Sequence, residues 1–177
     1  MPSLSSLAVA SVLTSLVLAV SAPAQVVFVD ASAGGAGTGA TWTDAYTDLQ
    51  TALANVAAGE IWVAAGTYHP GAPGEQLATY QLASGVAVYG GFAGGESSLE
   101  QRDVAANVTI LSGDLDDDDT YGAGLNWWQF NWTGSSNNSY HVVTGSGADA
   151  SAVLDGVTIR SGVGRDPALL AGGGLLV

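Results

Sequence analysis

The fold is decided by a stretch that reads EIWVAAGTY at residues 60–68. A short β-branched run, a glycine and a second short run are typical of a strand, a sharp turn and another strand. Similar runs recur at residues 26–30, 85–89, 107–111, 140–143, 153–159 and 174–177. Strands this close together with no helices between them exclude βαβ units and leave an antiparallel sandwich or a solenoid of stacked coils. Two-residue hairpin signals are scarce, which favours the solenoid.

One amphipathic helix is predicted, between residues 43 and 59. Thr43 stands where an N-cap belongs, and Asp44 falls in the first turn, where the helix dipole favours an acid. The apolar stripe of this helix, at helical spacing, consists of Tyr46, Leu49, Leu53 and Val56. Gly59 is predicted to end the helix.

Residues 1–24 are predicted to be a signal peptide. Residues 7–20 are apolar apart from small hydroxyl residues, and Ala22 and Ala24 provide small side chains at the cleavage site. The run is shorter than the ~20 apolar residues that span a membrane. No Lys or Arg precedes it. Cleavage after Ala24 would leave residues 25–177 as one exported domain, in which no membrane span is predicted.

The composition is strongly acidic. Lys and Arg together number 3 against 16 Asp and Glu, so the net charge is -13. Such a surface repels nucleic acid and anionic lipid and attracts divalent cations. The chain has no Cys, so its stability must come from a packed core or from the stacking of repeats.

Several sequence segments occur in an order that resembles one bacterial family. They are IWVAAGTY at 61–68, VYGGFAG at 88–94, RD at 102–103 with NVTILSGD at 107–114, NSYHVV at 138–143 and LDGVTI at 154–159. They are similar to exported right-handed parallel β-helix proteins with a pectin-lyase-like fold, including polymorphic outer-membrane-type and anchor-bearing surface proteins. The resemblance implies an all-β solenoid over residues 25–177 with an N-terminal capping α-helix. Residues 172–177 resemble the opening of a further coil, which predicts that the chain is the N-terminal part of a longer protein.

Five carboxylates within six residues form a candidate metal site, which we predict to bind Ca²⁺. They are Asp114, Asp116, Asp117, Asp118 and Asp119. Carboxylates this close repel one another, and a hard cation with oxygen ligands would relieve the repulsion. The spacing departs from an EF-hand, because Asp119 stands where the turn needs Gly and Leu125 where a bidentate Glu belongs. The alternative is a solvated acidic loop.

Aromatic residues follow the acids and form a candidate glycan contact. Trp127, Trp128 and Trp132 lie close together with Phe130 and are followed by a polar run at residues 134–139. Sugar C–H faces pack on aromatic rings. The alternative is a loop that folds these rings onto the outside of the solenoid.

The function predicted from these features is binding or adhesion, by a secreted or cell-surface β-helix protein whose partner is a polysaccharide or cell-surface glycan. One alternative is a polysaccharide lyase or glycoside hydrolase whose catalytic coils lie beyond residue 177, and another is a structural stalk. Lyases of this fold, by the same resemblance, use a basic residue to remove a proton. With no Lys here, Arg160 or Arg165 would have to serve, and nothing in the sequence connects either to the acidic run. We expect structural roles for His69 and His141.

Overall fold

The computed structural model describes residues 25–121, 132–164 and 173–177, which form mostly parallel β-sheet. The predicted signal peptide, residues 1–24, lies outside the described residues. Trp127, Trp128, Phe130 and Arg165 also lie outside them.

The described residues contain twelve short strands, one α-helix and one 3-10 turn. In chain order these are β1 (Val26–Val29), α1 (Leu49–Asn55), β2 (Gly59–Ala64), β3 (Gly66–Tyr68), β4 (Tyr80–Gln81), β5 (Val86–Phe92), the 3-10 turn (Leu99–Gln101), β6 (Thr109–Ser112), β7 (Thr120–Tyr121), β8 (Trp132–Thr133), β9 (Val143–Thr144), β10 (Val153–Asp155), β11 (Val157–Arg160) and β12 (Leu175–Leu176).

Three parallel sheets contain all of these strands except β7 and β8. Sheet A has the order β1-β2-β5-β10, sheet B has β3-β6-β11 and sheet C has β4-β9-β12. The chain therefore passes through sheets A, B and C in that order three times. The antiparallel pair β7–β8 is inserted between β6 and β9. This arrangement is compatible with a β-helix-like solenoid.

The core consists of apolar side chains that lie in register on neighbouring strands. In sheet A, Ile61 pairs with Val27 on one side and with Val88 on the other, and all three are buried. In sheet C, Tyr80 pairs with Val143, and both are buried. Because alternate residues of a strand point to opposite faces, in-register pairing carries one apolar column through each sheet.

The helix is shorter than predicted and begins at a different cap. Asp48 is the N-cap, and its carboxylate accepts hydrogen bonds from the N–H of Gln50 at 3.1 Å and of Thr51 at 2.9 Å. Leu49 and Ala52 are buried, so one face of α1 packs on the core. The helix contacts β1, β2 and β4.

The predicted helix start at Thr43 is wrong because residues before Asp48 form other contacts instead of a helical turn. Tyr46 forms a parallel bridge with Val29 of β1, which holds this segment in an extended conformation. The Asp44 carboxylate accepts from the N–H of Ala36 at 2.8 Å and so closes the glycine-rich loop. Local hydrogen bonding by Asp competes with helix formation in this way.

The predicted strand at residues 153–159 is two strands that belong to different sheets. Gly156 separates β10 from β11 and has a φ of 70°, in the left-handed region that favours glycine. A Cβ at Gly156 would lie 2.7 Å from the carbonyl oxygen of Gly90. The corner therefore needs glycine both for its backbone angle and for its close approach to the neighbouring strand.

Aromatic rings cover the outer face of sheet A. Trp62 and Phe92 stack with ring centroids 4.8 Å apart and an interplanar angle of 10°. Trp42 lies 4.6 Å from the Phe28 ring and 5.5 Å from the Phe92 ring. The indole Nε1 of Trp42 also donates to the Glu96 carbonyl oxygen at 2.8 Å, so the two loops that flank this face are joined.

Glu96 closes the loop after β5 with its own carboxylate, and this predicts an acid-sensitive contribution to stability. The carboxylate accepts from the N–H of Ala93 at 2.6 Å, Gly94 at 3.0 Å and Gly95 at 2.9 Å. Partial burial would raise the pKa of Glu96, but the backbone donors outweigh this effect and hold the pKa below its ordinary value. A carboxyl whose pKa is lowered on folding stabilises the fold above its unfolded pKa of ~4.3.

We therefore expect Glu96→Gln to lower the melting temperature at neutral pH. The difference in melting temperature between this variant and the wild type should shrink as the pH falls through the lowered pKa of Glu96, because the wild-type carboxyl then becomes neutral too. Thermal melts of both proteins across this range test the expectation. A difference that stays constant at every pH would contradict it.

Candidate metal centre

Three of the five aspartates after β6 converge on one point. Asp114, Asp118 and Asp119 each offer a carboxylate oxygen, and these oxygens all lie within 4.8 Å of one another. Asp114 is only 6 % exposed, Asp119 is half-buried and Asp118 is exposed. A buried carboxylate at the base and two more accessible ones above it form a shallow, strongly negative site.

The loop folds this way because its backbone wraps around the Asp114 carboxylate. Oδ1 of Asp114 accepts from the N–H of Asp118 at 3.1 Å, and Oδ2 accepts from the N–H of Asp119 at 3.2 Å. Hydrogen bonds to an ionised acceptor are stronger than those between neutral groups. Burial of this side chain directly after β6 therefore positions the two later aspartates.

The other two predicted ligands, Asp116 and Asp117, are held by separate contacts. Asp116 Oδ2 accepts from Asn137 Nδ2 at 2.7 Å. Asp117 Oδ1 lies 3.4 Å from His69 Nε2, within ion-pair range but without hydrogen-bond geometry. Asp117 also has a φ of 56°, which places it in the left-handed region. The cluster of convergent oxygens does not include these two residues.

Asn138 contacts the cluster from the far end of the β7–β8 insertion. This residue is fully buried, and its Nδ2 donates to Asp119 Oδ2 at 2.8 Å and to the carbonyl oxygen of Ser161 at 2.8 Å. Sequence reasoning missed Asn138 as a neighbour of the acids. The signal available was the polar run at residues 134–139, which we interpreted only as a flank of the aromatic residues.

The donor set fits a hard divalent cation. Oδ1 of Asp119 and Oδ1 of Asn138 are buried, and no described residue donates a hydrogen bond to either. Buried acceptors are normally satisfied, so an undonated Asp119 oxygen within this cluster is unusual. A carboxylate has about four lone-pair sites, so the Asp114 oxygens can accept N–H donors and still bind a cation. Oxygen-only ligands are those that Ca²⁺ prefers.

Of the two predicted basic residues, the structure describes only Arg160, and it lies outside this cluster. Arg160 is exposed on β11, where it pairs in register with Ser112, and no ion pair joins it to a described aspartate. Arg102 donates to the Asp155 carboxylate, and its guanidinium lies 5.2 Å from the Tyr89 ring centroid. The hydrogen bond from Arg102 holds the pKa of Asp155 below its ordinary value. Arg102 thus joins the segment after β5 to β10.

Of the three tryptophans predicted to contact a glycan, the structure describes only the backbone of Trp132. Trp132 lies on β8, where its backbone pairs with Tyr121 of β7. The glycan contact at Trp127, Trp128 and Trp132 therefore stays a prediction.

Comparisons with protein-family profiles, with curated proteins and with solved structures found no match. Within the described residues, no helix has the length and apolar character needed to cross a membrane.

Proposed function

We propose that this chain forms a right-handed parallel β-helix of an exported surface protein and that its role is binding or adhesion. The observation that carries the proposal is the strand order, because sheets A, B and C are each built from successive passes of the chain in parallel register. Stacked coils present long, flat outer faces, which solenoid proteins use for recognition. In this arrangement α1 covers the apolar end of the first coils.

The acidic loop, in this proposal, holds a Ca²⁺ ion that has a structural role. Asp114, Asp118 and Asp119 would bind the ion, and the Asn138 amide would support it by donating to the Asp119 carboxylate. The ion would neutralise the mutual repulsion of the carboxylates. Because Asn138 already contacts both Asp119 and Ser161, the ion would also fix the insertion between β6 and β9 against the segment after β11.

Calcium removal is the test of this loop. A ligand at 100 times its dissociation constant stabilises a folded protein by about 2.7 kcal/mol, so saturating Ca²⁺ should raise the melting temperature above that measured with a chelator. Asp118→Asn combined with Asp119→Asn should abolish the difference. Asp116→Asn is the matched control, because Asp116 contacts Asn137 and lies outside the convergent oxygens.

Three outcomes would contradict the calcium proposal. The first is a wild-type protein whose melting temperature is the same with Ca²⁺ and with the chelator. The second is a calcium response that persists in the Asp118→Asn, Asp119→Asn protein, and the third is a response that disappears equally in the Asp116→Asn control.

A further inference from the structure

A cleft of about 220 Å³ opens beside sheet C, away from the acidic cluster. Its polar lining residues are Gln76, Thr79, Gln81, Tyr140, His141, Thr144 and Ser146. Gln81 of β4 and Thr144 of β9 are in-register neighbours, and the Thr144 hydroxyl donates to Gln81 Oε1 at 2.9 Å. The floor of the cleft is thus formed by neighbouring strands of one parallel sheet.

The amide side chains of the cleft are held in place by the backbone. Gln76 Nε2 donates to the carbonyl oxygens of Ser136 at 2.9 Å and Asn138 at 3.1 Å. Gln81 Nε2 donates to the carbonyl oxygen of Ser146 at 3.2 Å. Among the described residues, none hydrogen-bonds Gln76 Oε1 or the Tyr140 hydroxyl. The cleft therefore has fixed polar walls with bonding capacity left for a ligand.

None of the described residues that line the cleft is Asp, Glu, Lys or Arg, although the chain carries a net charge of -13. A neighbouring hollow of about 370 Å³ shares Gln76, Leu77 and Tyr140 with it. The carboxylate in that hollow belongs to Glu75 and accepts from the N–H of Ala72 at 2.8 Å. Among the described residues, no Lys or Arg lines either space, so an anionic ligand would meet an unfavourable surrounding field.

We infer that this cleft binds a neutral oligosaccharide. The inference rests on the proposed binding function and supplies its ligand class and its site. Tyr140 and Leu77, which is 76 % exposed, provide apolar surface for the C–H face of a sugar ring. Gln76 Oε1, the Tyr140 hydroxyl and the exposed Ser146 hydroxyl provide hydrogen bonds to the sugar hydroxyl groups. The volume is below the roughly 300–1,000 Å³ of clefts that enclose drug-sized ligands, which suits one ring at a time along a chain.

The cleft is also connected to the acidic loop through Asn138. The Asn138 side chain donates to Asp119, and its carbonyl oxygen accepts from Gln76. Tyr140 follows two residues later, and its N–H donates to the Gln76 carbonyl oxygen at 2.9 Å. An ion that orders Asp119 and Asn138 would therefore order one wall of the cleft, so saccharide affinity should be higher with Ca²⁺ than with a chelator.

The test is calorimetric titration of the full chain with neutral β-glucan, xylan and mannan oligosaccharides and with oligogalacturonate as the anionic comparison, each with Ca²⁺ and with a chelator. At least one neutral oligosaccharide should bind with a dissociation constant of about 1 mM or lower, and oligogalacturonate should bind at least about tenfold more weakly. Tyr140→Ala should weaken binding about tenfold through loss of the ring face.

A second variant tests the cleft independently of any effect that Tyr140→Ala has on folding. Ser146 is exposed, and Ser146→Trp should block the cleft and abolish binding. Thr158→Trp is the steric control, because Thr158 is exposed on β11 of sheet B and does not line the cleft. Circular dichroism checks that each variant retains its β-sheet.

Failure to bind any neutral oligosaccharide would overturn the inference, and so would a preference for oligogalacturonate or full affinity in both cleft variants. A protein that is stabilised by Ca²⁺ but binds none of these sugars would remove the cleft proposal alone. Saccharide binding in a protein with no calcium response would remove the calcium proposal and the connection between the two sites, and it would leave the cleft in place.

Discussion

Replacing Phe92 with alanine is expected to lower the free energy of unfolding by about 3–5 kcal/mol. The side chain is fully buried at the end of β5. Its ring stacks on Trp62 and lies 5.5 Å from the Trp42 ring, so its removal leaves a cavity between two indoles. Aromatic pairs of this kind add about 0.5–1.5 kcal/mol beyond the area they bury. Urea unfolding followed by circular dichroism measures the loss.

Phe28→Ala is the matched control for the aromatic face. Phe28 is only half-buried, and its ring meets the Trp62 ring edge-on at 5.7 Å. Its replacement should cost clearly less than that of Phe92, because less surface is lost and no closed cavity forms. A Phe92→Ala protein as stable as the wild type, or less affected than Phe28→Ala, would show that the outer aromatic face does not stabilise sheet A.

Leu111→Ala is expected to cost about 2–5 kcal/mol, as for other buried Leu residues. Leu111 is fully buried on β6, between Tyr68 of β3 and Ile159 of β11 in the parallel register of sheet B. Both neighbours lie on adjacent strands that reach this position from distant parts of the chain. A cavity at Leu111 would therefore remove contacts on both sides of the central strand.

The neighbouring Ile110 provides a control of similar size on the same strand. It is half-buried and lies on the opposite face of β6 from Leu111. Ile110→Ala should cost at most about 1 kcal/mol, measured by the same urea unfolding. Equal losses at the two positions would contradict the register of sheet B, because that register gives these side chains different environments.

The strands could be predicted largely from local sequence, since β-branched runs between glycines mark strands and corners. Residues 26–30 contain β1, and residues 60–64 include all of β2 except Gly59, which was predicted to end the helix. The run at 140–143 was less well predicted, because only Val143 of it is in β9. Strand length depends on whether a neighbour supplies a hydrogen-bonding edge, and composition alone does not contain that information.

The predicted start of the helix was wrong for a related reason. Thr43 and Asp48 both have N-cap side chains, and propensity does not distinguish them. The pairing of Tyr46 with β1 excludes the earlier start, because this contact between segments separated in sequence keeps the chain extended. Tertiary pairing of this kind overrides local preference.

The sequence predicted the position of the acidic site but not which of its carboxylates converge. Five adjacent Asp indicate local negative charge, whereas the convergence of Asp114, Asp118 and Asp119 depends on which carboxylate is buried beneath the loop. Asn138 is 19 residues from Asp119 in sequence and reaches it across the β7–β8 insertion. Contacts over such a separation follow from the fold, so residue spacing alone could not predict them.

Engineered disulfides test whether successive passes of the chain stack strand on strand. The chain has no Cys, so any disulfide in a double-cysteine variant must join the two introduced residues. Ile110 on β6 pairs in register with Thr158 on β11. Neighbouring strands lie about 4.8 Å apart, within the ~4.4–6.8 Å between Cα atoms that a disulfide spans. Thr67 on β3 pairs with Ile110 but is separated from Thr158 by the whole of β6.

Mild oxidation of purified protein, followed by mass spectrometry, should show a disulfide in the Ile110→Cys, Thr158→Cys variant. The Thr67→Cys, Thr158→Cys variant should stay reduced, because two strand spacings exceed the reach of a disulfide. Stacked strands in the register of sheet B should give this difference in the folded protein and lose it in urea. A disulfide in the Thr67, Thr158 pair with none in the Ile110, Thr158 pair would contradict this stacking.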